Sequence, residues 1–310
     1  MVIPAEQLKR IETIYLHENP DPDAFFSWAA VRMFLLGAKR ARIVLQPANW
    51  GGNGMGPNDL ALDMEAGERG LKGVKDPDGK RHSCFALVME RYAPPEARAE
   101  LAHIISYVDM QDSAGNVAKA LLPEASQEVR DLFSATGLSA YVSVLKAVHG
   151  ENLLLIVSRL EEYLHGARIV GRRRIKTEKE ADKAELFAEG QVALVVDLPP
   201  AISYALYARG VRFVVFQNGY GTGVAREQTE TMRADHHAIR KVVEDAKEKI
   251  AVLGSSGSPG EWFRHTDGFL FANGTPKSKA SIPSKVDPRA LVAAVVSALA
   301  EHDAKTNKKA

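Results

Sequence analysis

The sequence predicts an α/β protein: a parallel-sheet N-terminal domain, a helical connector and a smaller α/β C-terminal domain. Three observations carry this expectation. Short β-prone runs alternate with a helical run over residues 11–62. Helical patterning then dominates to about residue 189, and a fresh strand–helix–strand pattern starts near residue 190. Strands that alternate with helices build parallel βαβ units. At 310 residues the chain is long enough for two domains of ~150 residues each.

The elements follow in order. Residues 11–16 are a short β-prone run. Residues 23–37 read as a helix that is apolar almost all round, through Phe25, Phe26, Trp28, Val31, Met33, Phe34, Leu35 and Leu36. A helix without a polar face packs on more than one side, and Gly37 is its expected stop. Residues 41–45 form a second strand and 60–62 the tip of a third, with the glycine-rich run 51–57 as a loop between them. Those glycines miss the G-x-G-x-x-G spacing and lead into Pro57 and a strand, so a dinucleotide fingerprint is rejected. Helices are expected at 83–92, 95–107, 126–133 and 138–149, with two more at 151–165 and 177–189. The charged stretch 172–189 has little apolar periodicity and holds the domain boundary, and Arg172-Arg173-Arg174 at its start reads as a solvated linker or helix face. The expected domains are therefore 1–170 and 191–310, joined by 171–190. In the second, the apolar run 191–198 is a central strand stopped by Pro199-Pro200. A helix at 201–208, a strand at 211–217 and a long amphipathic helix at 229–253 follow. A Ser/Gly loop at 254–260, a strand at 269–272 and a helix at 288–302 close the chain, and the polar tail 304–310 is expected to fray.

Composition narrows the function classes. Hydrophobic residues make up 45% and charged residues 25%, which is ordinary for a globular chain. Forty Lys and Arg against thirty-nine Asp and Glu give a net charge of +1. That balance lacks the clustered basic face needed to wrap duplex DNA, and a long basic exonuclease channel is disfavoured for the same reason. A small phosphorylated ligand stays open. A single cysteine, Cys84, excludes an intramolecular disulfide and a Cys-rich zinc site. It sits in the apolar run before Phe85-Ala86-Leu87-Val88 and is expected to be buried. The N-terminus shows no signal-peptide pattern and no apolar run reaches ~20 residues, so a cytoplasmic protein with no membrane partner is expected.

The sharpest chemical signal is His17-Glu18-Asn19-Pro20-Asp21-Pro22-Asp23-Ala24, directly after a strand and before a helix. One imidazole and two carboxylates stand at spacings of four and two, on a turn stiffened by two prolines. In an open α/β sheet the crevice lies beyond the carboxyl ends of the strands, where such a turn can aim all three at one point. Oxygen-rich clusters with one His suit Mn²⁺ or Mg²⁺ rather than Zn²⁺ or copper. The plainer reading is a turn in which Asp23 only caps the next helix. Asp63 follows the strand 60–62 and is either a bridging ligand or an ordinary turn residue. Asp109 and Asp112 are three apart and share a face, or simply end a helix at Gly115.

Together these segments resemble the DHH-type phosphoesterases, a superfamily of manganese pyrophosphatases, short-oligonucleotide ribonucleases and RecJ-like exonucleases. The first motif of that superfamily is met in full by His17, Asn19, Pro20, Asp21, Asp23 and Ala24, then Ser27. Asp63 fits the second motif, and Asp109 or Asp112 the fourth. The resemblance covers residues 11 to about 116 well and the rest loosely. It implies a DHH-like N-terminal domain with His17, Asp21, Asp23, Asp63 and Asp109 as ligands of Mn²⁺ or Mg²⁺, two ions in all. It implies a two-metal mechanism that activates water and clamps phosphoryl oxygens. It also implies a substrate that is a nucleotide, a short single-stranded oligonucleotide or a phosphoanhydride, bound in a cleft between the domains. A homodimer is left open.

One departure is plain. The Asp-His-His triplet that names the superfamily is missing between Asp63 and Asp109. His82 is the expected substitute as the catalytic histidine, with His103 as an alternative. The altered motif gives a second reading, a catalytically degenerate nucleotide- or phosphate-binding protein of the same fold. Asp235-His236-His237 does occur, but inside the long helix expected at 229–253, where successive side chains diverge by ~100°. It is read as a polar helix face. In the second domain the resemblance implies phosphate contacts, and Arg226, Arg264, His265 and Lys277 are the expected side chains. The Gly274-Thr275 backbone is an expected anion nest.

Overall fold

The computed structural model describes residues 10–72, 82–255, 258, 260–275, 279–280 and 282–307. The chain divides into two units, Met1–Arg173 and Arg174–Ala310. Both are mixed α/β, and the first is built on a parallel sheet.

In the first unit β1 (Thr13–His17) leads into α1 (Pro22–Phe34), followed by β2 (Arg42–Gln46), β3 (Asp59–Leu62) and β4 (Gly70–Leu71). The sheet order is β2-β1-β3-β4 and every pairing is parallel. His17 pairs with Gln46 and Tyr15 with Ala61, so β1 and β3 release the chain at the same edge. The two-residue side-chain period sorts these strands. Ile14, Leu16, Leu60 and Leu62 pack into the core with α1, while Tyr15 and Ala61 join Met64 on the other face. There the Tyr15 ring stacks on Trp50 at 4.6 Å. Helix α1 is packed on all sides as its sequence predicts, with every residue from Asp23 to Val31 buried.

The remaining helices of this unit are α2 (Cys84–Tyr92), α3 (Pro95–Glu100), α4 (Ala102–Ala114), α5 (Val117–Leu121), α6 (Gln127–Thr136), α7 (Leu138–His149) and α8 (Leu153–Ala181). The helix expected at 95–107 is two helices, broken at Leu101. The two helices expected at 151–165 and 177–189 are one, and α8 runs on through much of the stretch read as a linker. Ion pairs four residues apart, Arg174–Glu178 at 3.6 Å and Lys176–Glu180 at 3.8 Å, run along that part. Weak apolar periodicity there marks a solvated helix rather than a loop.

The second unit contains β5 (Glu185–Phe187), β6 (Val192–Val196), α9 (Ile202–Tyr207), β7 (Phe213–Asn218), β8 (Gly221–Arg226), α10 (His237–Asp245), β9 (Phe263–Arg264), β10 (Leu270–Asn273) and α11 (Pro288–Asn307). Its sheet order is β5-β6-β7-β8-β10-β9, with β6–β7 parallel and the other pairings antiparallel. Val192, Leu194, Phe213, Val215 and Val224 pack with residues of α10 and α11. Ala193, Val195 and Val214 pack with Ile202 and Leu206 of α9.

Residues 218–223 form the turn and start of a β-hairpin: Asn218 pairs with Gly221, and the Asn218 side chain accepts the Tyr220 and Gly221 amides. One expectation fails here. The helix expected at 229–253 covers only His237–Asp245. Met232, Ile239 and Val243 do reach one core, but from different segments, which imitates a single helical period. Among the described residues no helix is long and apolar enough to cross a membrane.

Candidate metal centre

His17 is the last residue of β1, Asp21 caps α1, and Asp63 is the first residue beyond β3. Parallel strands open their crevice at this edge. One ligand atom from each of the three lies within 4.8 Å of the others. His17 Nε2 is 3.4 Å from Asp63 Oδ2. The Asp21 carboxylate accepts the Ala24 amide at 3.0 Å, which fixes its direction. From α7, Lys146 donates to the Pro20 carbonyl at 3.2 Å and ties down the turn. Asp63 adopts a left-handed φ of 54°, unusual for a residue with a side chain. Its amide donates to the Leu71 carbonyl at 2.7 Å, with Cys84 Sγ at 3.2 Å, so neighbouring structure holds it there.

The electrostatics are those of a site short of positive charge. A hydrogen bond to Asp63 holds the His17 pKa above its usual 6.5, against the effect of burial. Burial pushes the Asp21 carboxyl up, and the Asp63 charge adds to it against the Ala24 amide. Burial likewise pushes Asp23 well above the usual carboxylate range, with the Asp63 charge adding. A divalent cation would reverse the sign of this field. The donor set fits one. Ligands at right angles on an ion with ~2.1 Å bonds lie ~3 Å apart, close to the His17–Asp63 spacing. One imidazole with two carboxylates suits Mn²⁺ or Mg²⁺.

Asp23 and Asp109 are placed differently. Asp23 sends its two oxygens to the Cys84 and Phe85 amides, at 2.7 and 2.8 Å. Asp109, on α4, accepts the Ser83 amide at 2.7 Å and sits 3.5 Å from His82 Nδ1. Both carboxylates therefore serve the N-terminal turn of α2, where unpaired amides and the helix dipole attract negative charge. The structure brings His17, Asp21 and Asp63 together, and sets Asp23, Asp109 and His82 around the head of α2. A cavity of about 200 Å³ is lined by Asp21, Asp23, Tyr107, Gln111, Asp112 and Ser139. Local reading missed Lys146 and the α4 and α7 lining, because no nearby motif links them to the turn. Cys84 is buried as expected.

In the second unit the expected phosphate contacts scatter. Arg226 donates to the backbone carbonyls of Glu227, Gln228, Glu230, Asp267 and Gly268. Arg264 Nε pairs with Asp235 Oδ2 at 2.8 Å, and Arg233 Nε reaches the other oxygen at 2.8 Å. Asp235 is thus a buried clamp ahead of α10, not part of a polar helix face. His265 stacks on Phe269 at 3.7 Å, and its Nδ1 accepts the Asp267 amide at 3.1 Å. Gly274 has φ +89° and packs so closely on the Tyr220 carbonyl that a Cβ would lie 2.2 Å from it. Thr275 lines a cavity of the second unit. Lys277 lies outside the described residues.

No family model matches the sequence, and no curated protein matches it. Solved structures do. The chain is similar to crystal structures of RecJ from Thermus thermophilus in complex with Mg²⁺ and with Mn²⁺. The first is 17% identical with a TM-score of 0.29 and covers 96% of this chain and 51% of that one. The second is 15% identical with a TM-score of 0.29 and covers 96% and 53%. The chain therefore spans about half the length of these RecJ structures. An uncharacterized protein from Helicobacter pylori is 10% identical, with a TM-score of 0.24 over 93% of this chain and 99% of that one.

Proposed function

We propose that the chain is a divalent-cation-dependent phosphoesterase acting on a small phosphorylated substrate: a nucleotide, a short single-stranded oligonucleotide or a phosphoanhydride. The observation that carries this reading is the convergence of His17, Asp21 and Asp63 at the carboxyl edge of a parallel sheet. These residues also carry the motif resemblance to the DHH-type phosphoesterases. His17, Asp21 and Asp63 would hold Mn²⁺ or Mg²⁺. A second ion would have to share Asp23 and Asp109 with the amides of α2. Bound there, a divalent cation offsets phosphoryl charge and makes water more acidic.

The chain's own groups have separate tasks in this reading. The cap on α1 orients Asp21, and the Leu71 carbonyl and Cys84 hold the Asp63 backbone. His82, beside Asp109, is the group we assign to hand a proton to the leaving oxygen. In the second unit Arg226, an expected phosphate contact, is taken up by backbone carbonyls.

The test is hydrolysis of a generic phosphodiester reporter and of dinucleotides with Mn²⁺. Mn²⁺-dependent turnover is expected, reduced at least about 100-fold in Asp63→Asn. Absence of turnover with Mn²⁺, Mg²⁺ and Co²⁺ on pyrophosphate, cyclic dinucleotides and di- to pentanucleotides sinks it. Tight nucleotide binding without hydrolysis would instead select the degenerate binding protein. The engagement of Asp23 and Asp109 with the head of α2 favours that second reading.

A further inference from the structure

The second unit carries an open cavity of about 610 Å³, a size that suits a drug-sized ligand. Its described lining comes from residues 195–275. Tyr204 and Tyr207 face it from α9, Phe216 from β7, Tyr220 from the hairpin tip, and Phe269 from the approach to β10. Tyr204 is strongly exposed, and Tyr220 and Phe269 are partly so. Exposed rings gathered round one hollow mark a binding surface.

Two further observations define what fits. The first is the floor. A Cβ on Gly223 would lie 2.7 Å from Phe216 Cζ and 2.5 Å from Ala272 Cβ, so the Phe216 ring lies across β8 where a side chain is missing. Ala225, two residues on, also lines the cavity with a minimal side chain. The second is charge. Arg226 and Glu227 both line the cavity, and the Arg226 N–H groups are used by backbone carbonyls. Burial pushes the Tyr207 phenol pKa up, the Glu227 charge adds to it, and the group stays neutral. Among the described lining residues a phosphate finds no strong partner. A flat, uncharged ring finds aromatic faces for stacking and a few polar atoms for orientation.

We infer that this cavity binds an uncharged planar heterocycle, the base of a nucleoside, by stacking against its tyrosine-rich rim. As the base of a substrate, it rests on the phosphoesterase reading; as a binding site, it stands without it.

The experiment is calorimetric titration of the full chain with adenosine, in the presence of EDTA. Saturable binding is expected, with none for ribose 5-phosphate. Tyr204→Ala should weaken it about 10-fold and Tyr204→Phe should retain it, since the phenyl face does the stacking. Ala225→Leu, which fills the floor, should abolish binding while the melting temperature holds. Asp63→Asn should leave adenosine affinity unchanged. The inference is overturned if millimolar adenosine gives no heat, if Ala225→Leu binds like the parent, or if Asp63→Asn removes adenosine binding. A parent chain that binds adenosine but not Mn²⁺ overturns the metal centre and leaves the cavity standing.

Discussion

Asp21 accepts amides at the head of its own helix α1, whereas Asp23 gives both oxygens to the head of α2. Substitution should separate them. Asn is also a good N-cap, so Asp21→Asn should change unfolding free energy by less than about 0.5 kcal/mol. It should still weaken Mn²⁺ binding, because a charged donor is gone. Asp23→Asn places a carboxamide NH2 donor where one of two backbone amides needs an acceptor, and should cost on the order of 2 kcal/mol. Urea unfolding of the two variants beside Mn²⁺ titrations checks both halves. At Asp235 burial pushes the carboxyl up, but hydrogen bonds from Arg233 and Arg264 outweigh it and hold its pKa below the usual 3.8. A carboxyl depressed in the folded state stabilises above its unfolded pKa and loses that contribution as pH falls through the folded value. Asp235→Asn should therefore cost on the order of 2–3 kcal/mol at pH 7, less than a fully buried pair because Arg233 is partly exposed. The gap from the parent should narrow once pH drops below ~3.8. Denaturation at pH 7 and pH 3 measures it; an equal gap at both would refute the linkage.

Helix α8 passes close to the end of α3 at Gly171. A Cβ there would fall 1.8 Å from the Glu100 carbonyl oxygen. Arg168 and Arg172 flank the crossing and both bind the Glu100 carboxylate, at 2.7 and 2.8 Å. Gly171→Ala should destabilise by about 1–3 kcal/mol despite Ala's better helix propensity, because backbone rather than a side chain must move. Gly166→Ala, which meets nothing within 4 Å, is the control and should be neutral or stabilising. Thermal melts of the pair decide it. Such crossings explain what the sequence hides. The β1–α1 turn was legible because motif, strand end and helix cap are contiguous from His17 to Ala24, and Asp63 because it ends an apolar run. The fate of Asp23 was not, since its partners stand 61 and 62 residues away. Nor was Lys146, at 126 residues from Pro20. Strand β8 was not marked by its sequence, because Gly221 and Gly223 weaken the alternating apolar pattern of a strand. They are glycine because neighbouring strands approach closely: a Cβ at Gly221 would lie 1.7 Å from the Asn273 carbonyl.

At the scale of the whole molecule, ligand effects should be local to a unit. The three converging ligands belong to Met1–Arg173, while the aromatic cavity belongs to Arg174–Ala310. A cation that binds only the folded first unit stabilises it by mass action, ~2.7 kcal/mol at a hundred times its dissociation constant. The second unit has its own core of Val192, Phe213, Val215, Phe271 and Leu291, which the cation does not touch. Hydrogen exchange with and without Mn²⁺ should therefore show slower exchange in peptides spanning β1, α1 and β3, and in the head of α2. Peptides spanning β6, β7 and β8 should be unchanged. Asp63→Asn should remove the first effect, because its carboxylate is the group that links His17 to the rest of the ligand set. Equal protection of both units would mean that the cation acts elsewhere, or that the units unfold as one through the continuous helix α8. Repeating the exchange on Asp63→Asn separates those cases: a cation bound elsewhere still protects the variant, whereas coupled unfolding loses protection in both units together.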